Sequence, residues 1–222
     1  MAALLLLLLT AAVPSSPLGR MQAWVGQGAG VAGYDATADC VGPRGEYQTR
    51  IAFRRSDGWA RFTQWRDEVQ IWDSVALGED SWVSGDAGHW TEGDTDLQAR
   101  ILGHHFLAMI LAPDRVFPQL GPARKGRLDD EPVVWVSGRD VAGHPVELAL
   151  LSTGRPVAAR ITWGGAVGTL TLRFSGWERI GPVQLPLSVR IEQGKDVFRF
   201  RFRAPRLEAP DDAGWRPAGA GG

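Results

Sequence analysis

Hydrophobic residues recur along this chain with two periods, and each period predicts a different secondary structure. Over residues 95–111 they return every three to five positions, which is the spacing of one face of an α-helix. Thr95 and Gln98 have the spacing of a capping box at the start, and Pro113 prevents continuation beyond residue 111. The pattern therefore predicts one long amphipathic helix. Its apolar stripe consists of Leu97, Ile101, Leu102, Phe106, Met109 and Ile110.

Elsewhere apolar and polar residues alternate with period two, which is typical of strands that are buried on one face. Only short Gly/Asp turns separate consecutive segments, so neighbouring strands must pair antiparallel. The segment 121–131 combines Gly, Pro and charged residues and is predicted to be a loop. The predicted strands cover residues 34–39, 46–54, 59–65, 69–75, 80–84 and 88–92 before the helix, and 133–137, 146–151, 157–163, 169–177, 185–192 and 196–204 after it.

The last strands have the clearest alternation, and their apolar face is expected to meet the helix. Leu172, Phe174 and Phe200 belong to that face, whereas Arg173, Arg199 and Arg201 alternate with them. The end of the helix, residues 106–111, is apolar nearly all round and needs cover on two sides. Ordinary core packing is the favoured explanation from the sequence alone, and an apolar ligand is the alternative.

The two ends of the chain differ from the centre in composition. Residues 1–19 contain six consecutive leucines followed by Pro and Ser, which predicts a signal peptide rather than a membrane-spanning helix. Residues 20–33 are rich in glycine and are predicted to be a flexible linker; their G-x-G-x-x-G spacing precedes a strand, not the helix of a dinucleotide site. Residues 34–204 remain as a single domain, and residues 205–222 are predicted to be a loose tail.

Composition and motifs exclude several classes of function. With 24 basic and 25 acidic residues, nothing favours nucleic acid as a partner. Cys40 is the only cysteine, so we expect no disulfide and a buried, inert thiol. His104 and His105 are adjacent on the predicted helix and point about 100° apart, which is unsuited to a shared metal; His105 is expected to be a packed histidine. We find no catalytic motif, and we predict no cofactor and no metal.

Three short motifs give the sequence a family resemblance. Residues 150–156, LLSTGRP, are similar to a strand and TG-x-P turn of the periplasmic lipoprotein-carrier superfamily (LolA/LolB-like). Residues 174–186, FSGWERIGPVQLP, resemble that superfamily's F-x-x-W/Y-x-x-x-x-G-x-x-L-P segment, and residues 211–217, DDAGWRP, resemble its aromatic-x-x-Pro ending. The order of elements over most of residues 34–217 agrees with this resemblance.

The resemblance implies a mainly β fold: a strongly curved, half-open antiparallel β-barrel with one long amphipathic helix as a lid. It also implies a monomeric periplasmic or otherwise exported carrier, non-catalytic, that holds the acyl chains of a lipid or acylated protein in an apolar cavity. The predicted lining is the helix stripe together with Leu172, Phe174 and Phe200. Two alternatives stay open: a structural or regulatory interaction domain whose cavity is filled by its own side chains, and an enzyme whose site is assembled between strands.

Overall fold

The computed structural model describes residues 16–85, 88–164 and 168–217, and its centre is one antiparallel sheet of 13 strands. The strands are β1 (Gly33–Gly42), β2 (Gly45–Arg54), β3 (Ala60–Arg66), β4 (Val69–Leu77), β5 (Asp80–Ser84), β6 (Trp90–Glu92), β7 (Gln119–Leu128), β8 (Glu131–Arg139), β9 (Pro145–Leu150), β10 (Pro156–Thr162), β11 (Thr169–Ile180), β12 (Val183–Gln193) and β13 (Asp196–Phe202). The helices are α1 (Pro17–Val25), α2 (Thr95–Gly103), α3 (Phe106–Leu111) and α4 (Pro113–Val116).

The strand order is β6-β5-β4-β3-β2-β1-β13-β12-β11-β10-β9-β8-β7. The chain thus begins in the middle of the sheet, reaches one edge at β6, crosses to the opposite edge at β7 through α2, α3 and α4, and returns until β13 pairs with β1. The edge strands do not pair with each other, so the curved sheet is a half-open barrel. The predicted mainly β, antiparallel, half-open architecture is confirmed.

Strand register aligns the apolar residues of successive strands into rows on the concave face. One row runs through Phe174, Val189, Phe200, Cys40 and Tyr47, which are paired across β11, β12, β13, β1 and β2. Because side chains alternate between the two faces of a strand, this register places every member of the row on the same side. A continuous apolar surface therefore faces the helices.

The long helix predicted over residues 95–111 is wrong in one respect: it is interrupted at His104 and His105. The ring Nδ1 of His104 lies 2.7 Å from the Arg100 carbonyl, the group that a continuing helix would bond to the His104 backbone N–H. That N–H instead bonds to Ile101 and Leu102, and His105 leaves the helical region at ψ 69°. Asp94, rather than Thr95, caps the start of α2 by accepting a hydrogen bond from the Leu97 N–H.

Close packing against Trp163 accompanies the interruption. A Cβ placed on Gly103 would lie 2.6 Å from Cζ2 of Trp163, so only glycine permits the last turn of α2 to approach this ring. Trp163 is itself buried, and its indole N–H donates to Asp140 over 3.3 Å. The position of the break therefore depends on a contact between residues 60 positions apart.

The segment predicted as a loop over residues 121–131 is largely strand β7. Its residues are mostly exposed, so no buried face produced an alternating pattern in the sequence. Pro122 lies in an irregularity of the β7–β8 register between Leu120 and Ala123. A proline at such a position on an edge strand removes no necessary ladder hydrogen bond.

The flexible linker predicted over residues 20–33 is also wrong. Ser16 caps α1 through its hydroxyl, which accepts from the Gly19 N–H, and Met21 and Val25 are buried four residues apart on one face of that helix. Gly28–Gly30 forms a short 3₁₀ turn before β1. Packing of these two apolar residues offsets the weak helix propensity of Gly19, the one glycine within α1. Most of the predicted signal peptide, residues 1–15, lies outside the described residues.

The C-terminal segment is bound to the outer face of the sheet instead of being loose over residues 205–222. The Asp212 carboxylate accepts hydrogen bonds from Arg50 over 2.8 Å and from Arg61 over 3.0 Å. The Trp215 carbonyl accepts from the buried Trp59 indole over 3.2 Å, and Arg61 lies 4.5 Å above the Trp215 ring. These contacts hold the tail as far as Pro217; residues 218–222 lie outside the described part.

The core between α3 and the sheet is tightly filled. All six residues of α3 are buried, and Phe106 contacts the rings of Phe200 and Phe202 at 5.1 and 6.2 Å between centroids. At the start of α3 the Tyr34 hydroxyl lies 2.9 Å from Nδ1 of the fully buried His105. Ordinary core packing, favoured from the sequence for the apolar residues 106–111, is therefore what covers them.

Candidate ligand cavity beside α2

A cavity of about 300 Å³ lies between α2 and the concave face of the sheet. Both halves of the open barrel contribute to it, β2 to β4 on one side and β11 to β13 on the other. Aromatic and aliphatic side chains form most of the wall. The lining residues are Tyr47, Phe62, Gln64, Trp72, Ser74, Leu97, Arg100, Ile101, His104, Leu170, Ile191, Gln193, Phe198 and Phe200.

One face of α2 forms the roof of this cavity. Leu97, Arg100, Ile101 and His104 are spaced at i, i+3, i+4 and i+7, which places them along a single stripe of the helix. The Asp94 cap fixes the beginning of that stripe, and the His104 imidazole fixes its end by bonding the Arg100 carbonyl. The roof is therefore held at both ends by hydrogen bonds within α2.

The cavity wall has one cation and no anion. None of its lining residues is Asp or Glu, and the positive charge belongs to Arg100. Nε of Arg100 is buried and has no hydrogen-bond partner. His104 adds no charge at neutral pH, because burial lowers its pKa below the usual value. Since a carbonyl can only accept, Nδ1 of His104 carries the proton and Nε2 is left as an acceptor.

A second hollow of about 270 Å³ adjoins the cavity and shares Tyr47, Gln64 and Phe198 with its wall. Residues of the turns that join β1 to β2 and β12 to β13 surround it. Two arginines, Arg44 and Arg66, and one acid, Asp196, contribute its charged groups. This hollow forms a basic approach to the apolar cavity.

A larger depression of about 1070 Å³ also borders Tyr47 and Phe200. Charged side chains of both signs line it, among them Asp67, Glu68 and Arg190. Mixed charge suits water better than an apolar chain, because burying these groups without partners would be costly. The cavity beside α2 is therefore the better candidate for an apolar ligand.

The structure distributes the nine predicted site residues between the cavity and the filled core. Three of them line the cavity: Leu97, Ile101 and Phe200. The other six are buried in the main core cluster, and these are Leu102, Phe106, Met109, Ile110, Leu172 and Phe174.

Sequence reasoning missed several residues of the wall. Leu170, Ile191 and Phe198 continue the period-two pattern of the apolar face, so that signal could have found them. Nothing local distinguishes Phe62 and Trp72, which reach the site only through the long-range pairing of β3 and β4 with the rest of the sheet. Arg100 was overlooked because a lone arginine on a helix normally faces solvent.

The structure gives no sign of a metal centre in the ranges it describes. No group of three or more His, Cys, Asp or Glu side chains in those ranges could hold a metal ion. Cys40 is buried beside Thr49, and burial raises the pKa of its thiol to about 12, which keeps it protonated. No helix among the described residues has the length and apolar character needed to cross a membrane.

A half-open antiparallel barrel that encloses short helices on its concave face, with an apolar cavity between helix and sheet, defines the LolA-like fold. Comparison with solved structures agrees. The chain superimposes on a LolA superfamily protein from Nitrosomonas europaea with a TM-score of 0.62 and 14% sequence identity, covering 91% of this chain and 96% of that one. The predicted resemblance is confirmed at the level of the fold.

Two further structures share the fold at similarly low identity. A domain described as an outer membrane lipoprotein-sorting protein, from Vibrio parahaemolyticus, gives a TM-score of 0.58 at 8% identity and covers 80% of this chain and 86% of its own. A DUF1329 family protein from Desulfovibrio piger gives 0.55 at 12% identity, covering 90% and 92%. No family model matches the sequence, and no curated protein matches it.

Proposed function

We propose that this protein is a monomeric, non-catalytic carrier of the exported compartment that binds an acyl chain in the cavity beside α2. The observation that supports the proposal is the unfilled space of about 300 Å³ between an apolar stripe of α2 and an apolar sheet face. Ligand sites typically measure about 300–1,000 Å³ and are lined mostly by apolar side chains, so a pocket of this size and lining suits an occupant. The signal-like residues 1–19 support export.

The volume limits what the carrier would hold. An apolar protein cavity of roughly 150 Å³ accepts one benzene, so one twice that size accommodates about a dozen non-hydrogen atoms. That corresponds to one medium-length acyl chain. Burying about ten methylenes at roughly 0.8 kcal/mol each contributes at most about 8 kcal/mol, equivalent to a dissociation constant near 1 μM. Lost translational freedom of the ligand makes the actual affinity weaker.

The Vibrio protein is described as a lipoprotein-sorting protein, and this description supports the same class of function by analogy of fold. A lipid or an acylated protein is therefore the proposed cargo class. The filled core beneath α3 favours the competing idea, a structural domain without cargo, only for that part of the interior. The lining of the cavity contains no Asp, Glu, Cys or Lys and so does not favour the third idea, an enzyme.

Native mass spectrometry of the chain purified from the periplasm tests the proposal directly. We expect adducts at the masses of single-chain lipids, released by organic extraction. Leu170→Phe places a ring in the cavity and should remove the adducts, whereas Thr169→Phe, on the exposed face of the same strand, should retain them. An adduct-free wild-type protein under gentle ionisation, together with no binding of added lipid, would contradict the proposal.

A further inference from the structure

Arg100 is the feature of the cavity that an acyl chain alone does not explain. Its side chain forms no hydrogen bond and no ion pair with any described residue, and its Nε is buried without a partner. Arg100 is half-buried, and a guanidinium that loses part of its water normally gains a carboxylate, a carbonyl or an aromatic face in return. Here the surrounding wall supplies no acid, so the positive charge is uncompensated by the protein.

The arginines of the adjoining hollow have the same property. Arg44 and Arg66 also have no ion pair among the described residues, and Nε of Arg66 is buried and unpartnered. By contrast, many other arginines of the sheet are paired: Arg50 with Asp35, Arg61 with Asp73, and Arg173 with Asp129. Arg44 and Arg66 therefore add two cations without an acidic partner beside the cavity that Arg100 lines.

We propose that the ligand of this cavity is a single-chain amphiphile with an anionic head, whose charged oxygens bind the guanidinium of Arg100 while its chain fills the apolar space. This inference rests on the proposed carrier function and adds the ligand class. The planar guanidinium offers paired N–H donors that match a carboxylate or phosphate. The cavity volume selects one chain, and the absence of acids in its wall selects a negative head.

The roof of the cavity is arranged for this role. Arg100 lies one turn before His104 on the same stripe of α2, and the His104 ring already occupies the Arg100 carbonyl. His104 is neutral and therefore does not repel a cationic neighbour or compete for the anion. Leu97 and Ile101 flank Arg100 on the stripe, so head and chain would meet one helix face.

The test compares two ligands of equal chain length, dodecanoate and dodecanol, on delipidated full-length protein at pH 7.5. Titration is followed by calorimetry and by tryptophan fluorescence, since Trp72 lines the cavity. A charge-assisted hydrogen bond contributes enough for about a ten- to hundredfold effect on binding. We therefore expect dodecanoate to bind about ten- to hundredfold more tightly than dodecanol.

Three variants connect the preference to Arg100. Arg100→Gln should lower dodecanoate affinity to that of dodecanol in the same variant. Arg115→Gln makes the same change at an exposed position of α4, and this variant should retain the full preference for dodecanoate. Arg100→Lys keeps the charge but loses the planar fork, so an intermediate preference is expected, and it serves as the test if Arg100→Gln does not fold.

The outcomes separate the two proposals. Equal binding of acid and alcohol, unaffected by Arg100→Gln, would overturn the anionic-head inference while leaving an acyl carrier intact. If neither ligand binds, the carrier function itself fails. If the preference for the acid persists in Arg100→Gln and disappears in Arg44→Gln or Arg66→Gln, the head is bound at the entrance, and the assignment to Arg100 is overturned.

Discussion

The space beside α2 can be tested without any ligand, by enlarging side chains on one strand. Leu170 and Leu172 lie two residues apart on the same face of β11, and both are almost fully buried. Both belong to the main core cluster, but Leu170 borders the cavity and Leu172 does not. Replacing each by Phe adds three carbon atoms at positions with the same backbone and burial. Any difference in stability must then come from the free volume around the side chain.

The two substitutions should move the free energy of unfolding in different directions. Overpacking a filled core costs about 1–3 kcal/mol, which we expect for Leu172→Phe. Filling an existing cavity is neutral or stabilises by up to about 1 kcal/mol, which we expect for Leu170→Phe. In a chain of this size each kcal/mol corresponds to roughly 2–4 °C in Tm. The two variants should therefore differ by about 2–16 °C in Tm.

Urea unfolding of the delipidated proteins, followed by circular dichroism, gives both free energies. The dependence of the free energy on urea should stay the same in both variants, because the surface exposed on unfolding hardly changes. Alanine substitutions provide the opposite perturbation: Leu172→Ala should cost about 2–5 kcal/mol, and Leu170→Ala should fall at or below the lower end of that range. Equal destabilisation by the two phenylalanines would refute an open cavity beside α2.

Three further predictions follow from the same structure. Affinity for a series of straight-chain carboxylates should rise about fourfold per methylene, because each buried methylene contributes about 0.8 kcal/mol, and it should level off near twelve carbons, where the cavity is full. Calorimetry across the series measures this, and a rise that continues to eighteen carbons would contradict the volume argument. Burial lowers the pKa of His105 to about 3, so the stability that its neutral form provides is complete above about pH 6.5 and is lost as the pH falls toward 3. Urea unfolding should show a loss of about 2 kcal/mol between pH 7 and pH 5, and His105→Phe should reduce this loss. The same loss in His105→Phe as in the parent would show that His105 does not take up a proton on unfolding. The Arg50 guanidinium lowers the pKa of Asp212, so the contribution of this ion pair exists above about pH 4 and disappears in stronger acid. Asp212→Asn should lower stability by about 1 kcal/mol at pH 7, and equal stability of variant and parent at that pH would mean that the Asp212 ion pair does not stabilise the fold.

Local patterns were sufficient for the parts of the fold whose residues are buried on one face. Leu170, Leu172 and Phe174 alternate with polar residues, and the structure buries all three. The same reasoning failed for β7, because an edge strand with nearly every residue exposed has no alternation to detect. It failed for α1 because two apolar residues, Met21 and Val25, do not establish a helical period in the glycine-rich residues 20–33. Their burial depends on packing partners that the sequence does not identify.

The candidate site was predicted as a class but not as a location. The sequence indicated an apolar helix stripe facing an apolar sheet, and Leu97, Ile101 and Phe200 do meet at the cavity. It could not indicate that the space lies beside α2 and not under Phe106 and Met109. Whether an interior is full depends on the summed volumes of side chains from strands far apart in the chain. The hydrophobic period of a single segment gives no information about that sum.

By itself, then, the sequence determined which faces are apolar, that consecutive strands pair antiparallel, and that one helical region covers them, because these follow from periodicity and from the length of turns. Tertiary structure alone decided where the helix breaks, since the break lies beside the contact of Gly103 with Trp163, two residues that are far apart in the chain. It also decided that the tail is fixed by Asp212 and Trp215, and that Arg100 faces an unfilled apolar space without an acidic partner. The position of the tail and the surroundings of Arg100 both depend on distances between residues far apart in the chain. The register and curvature of the whole sheet determine those distances.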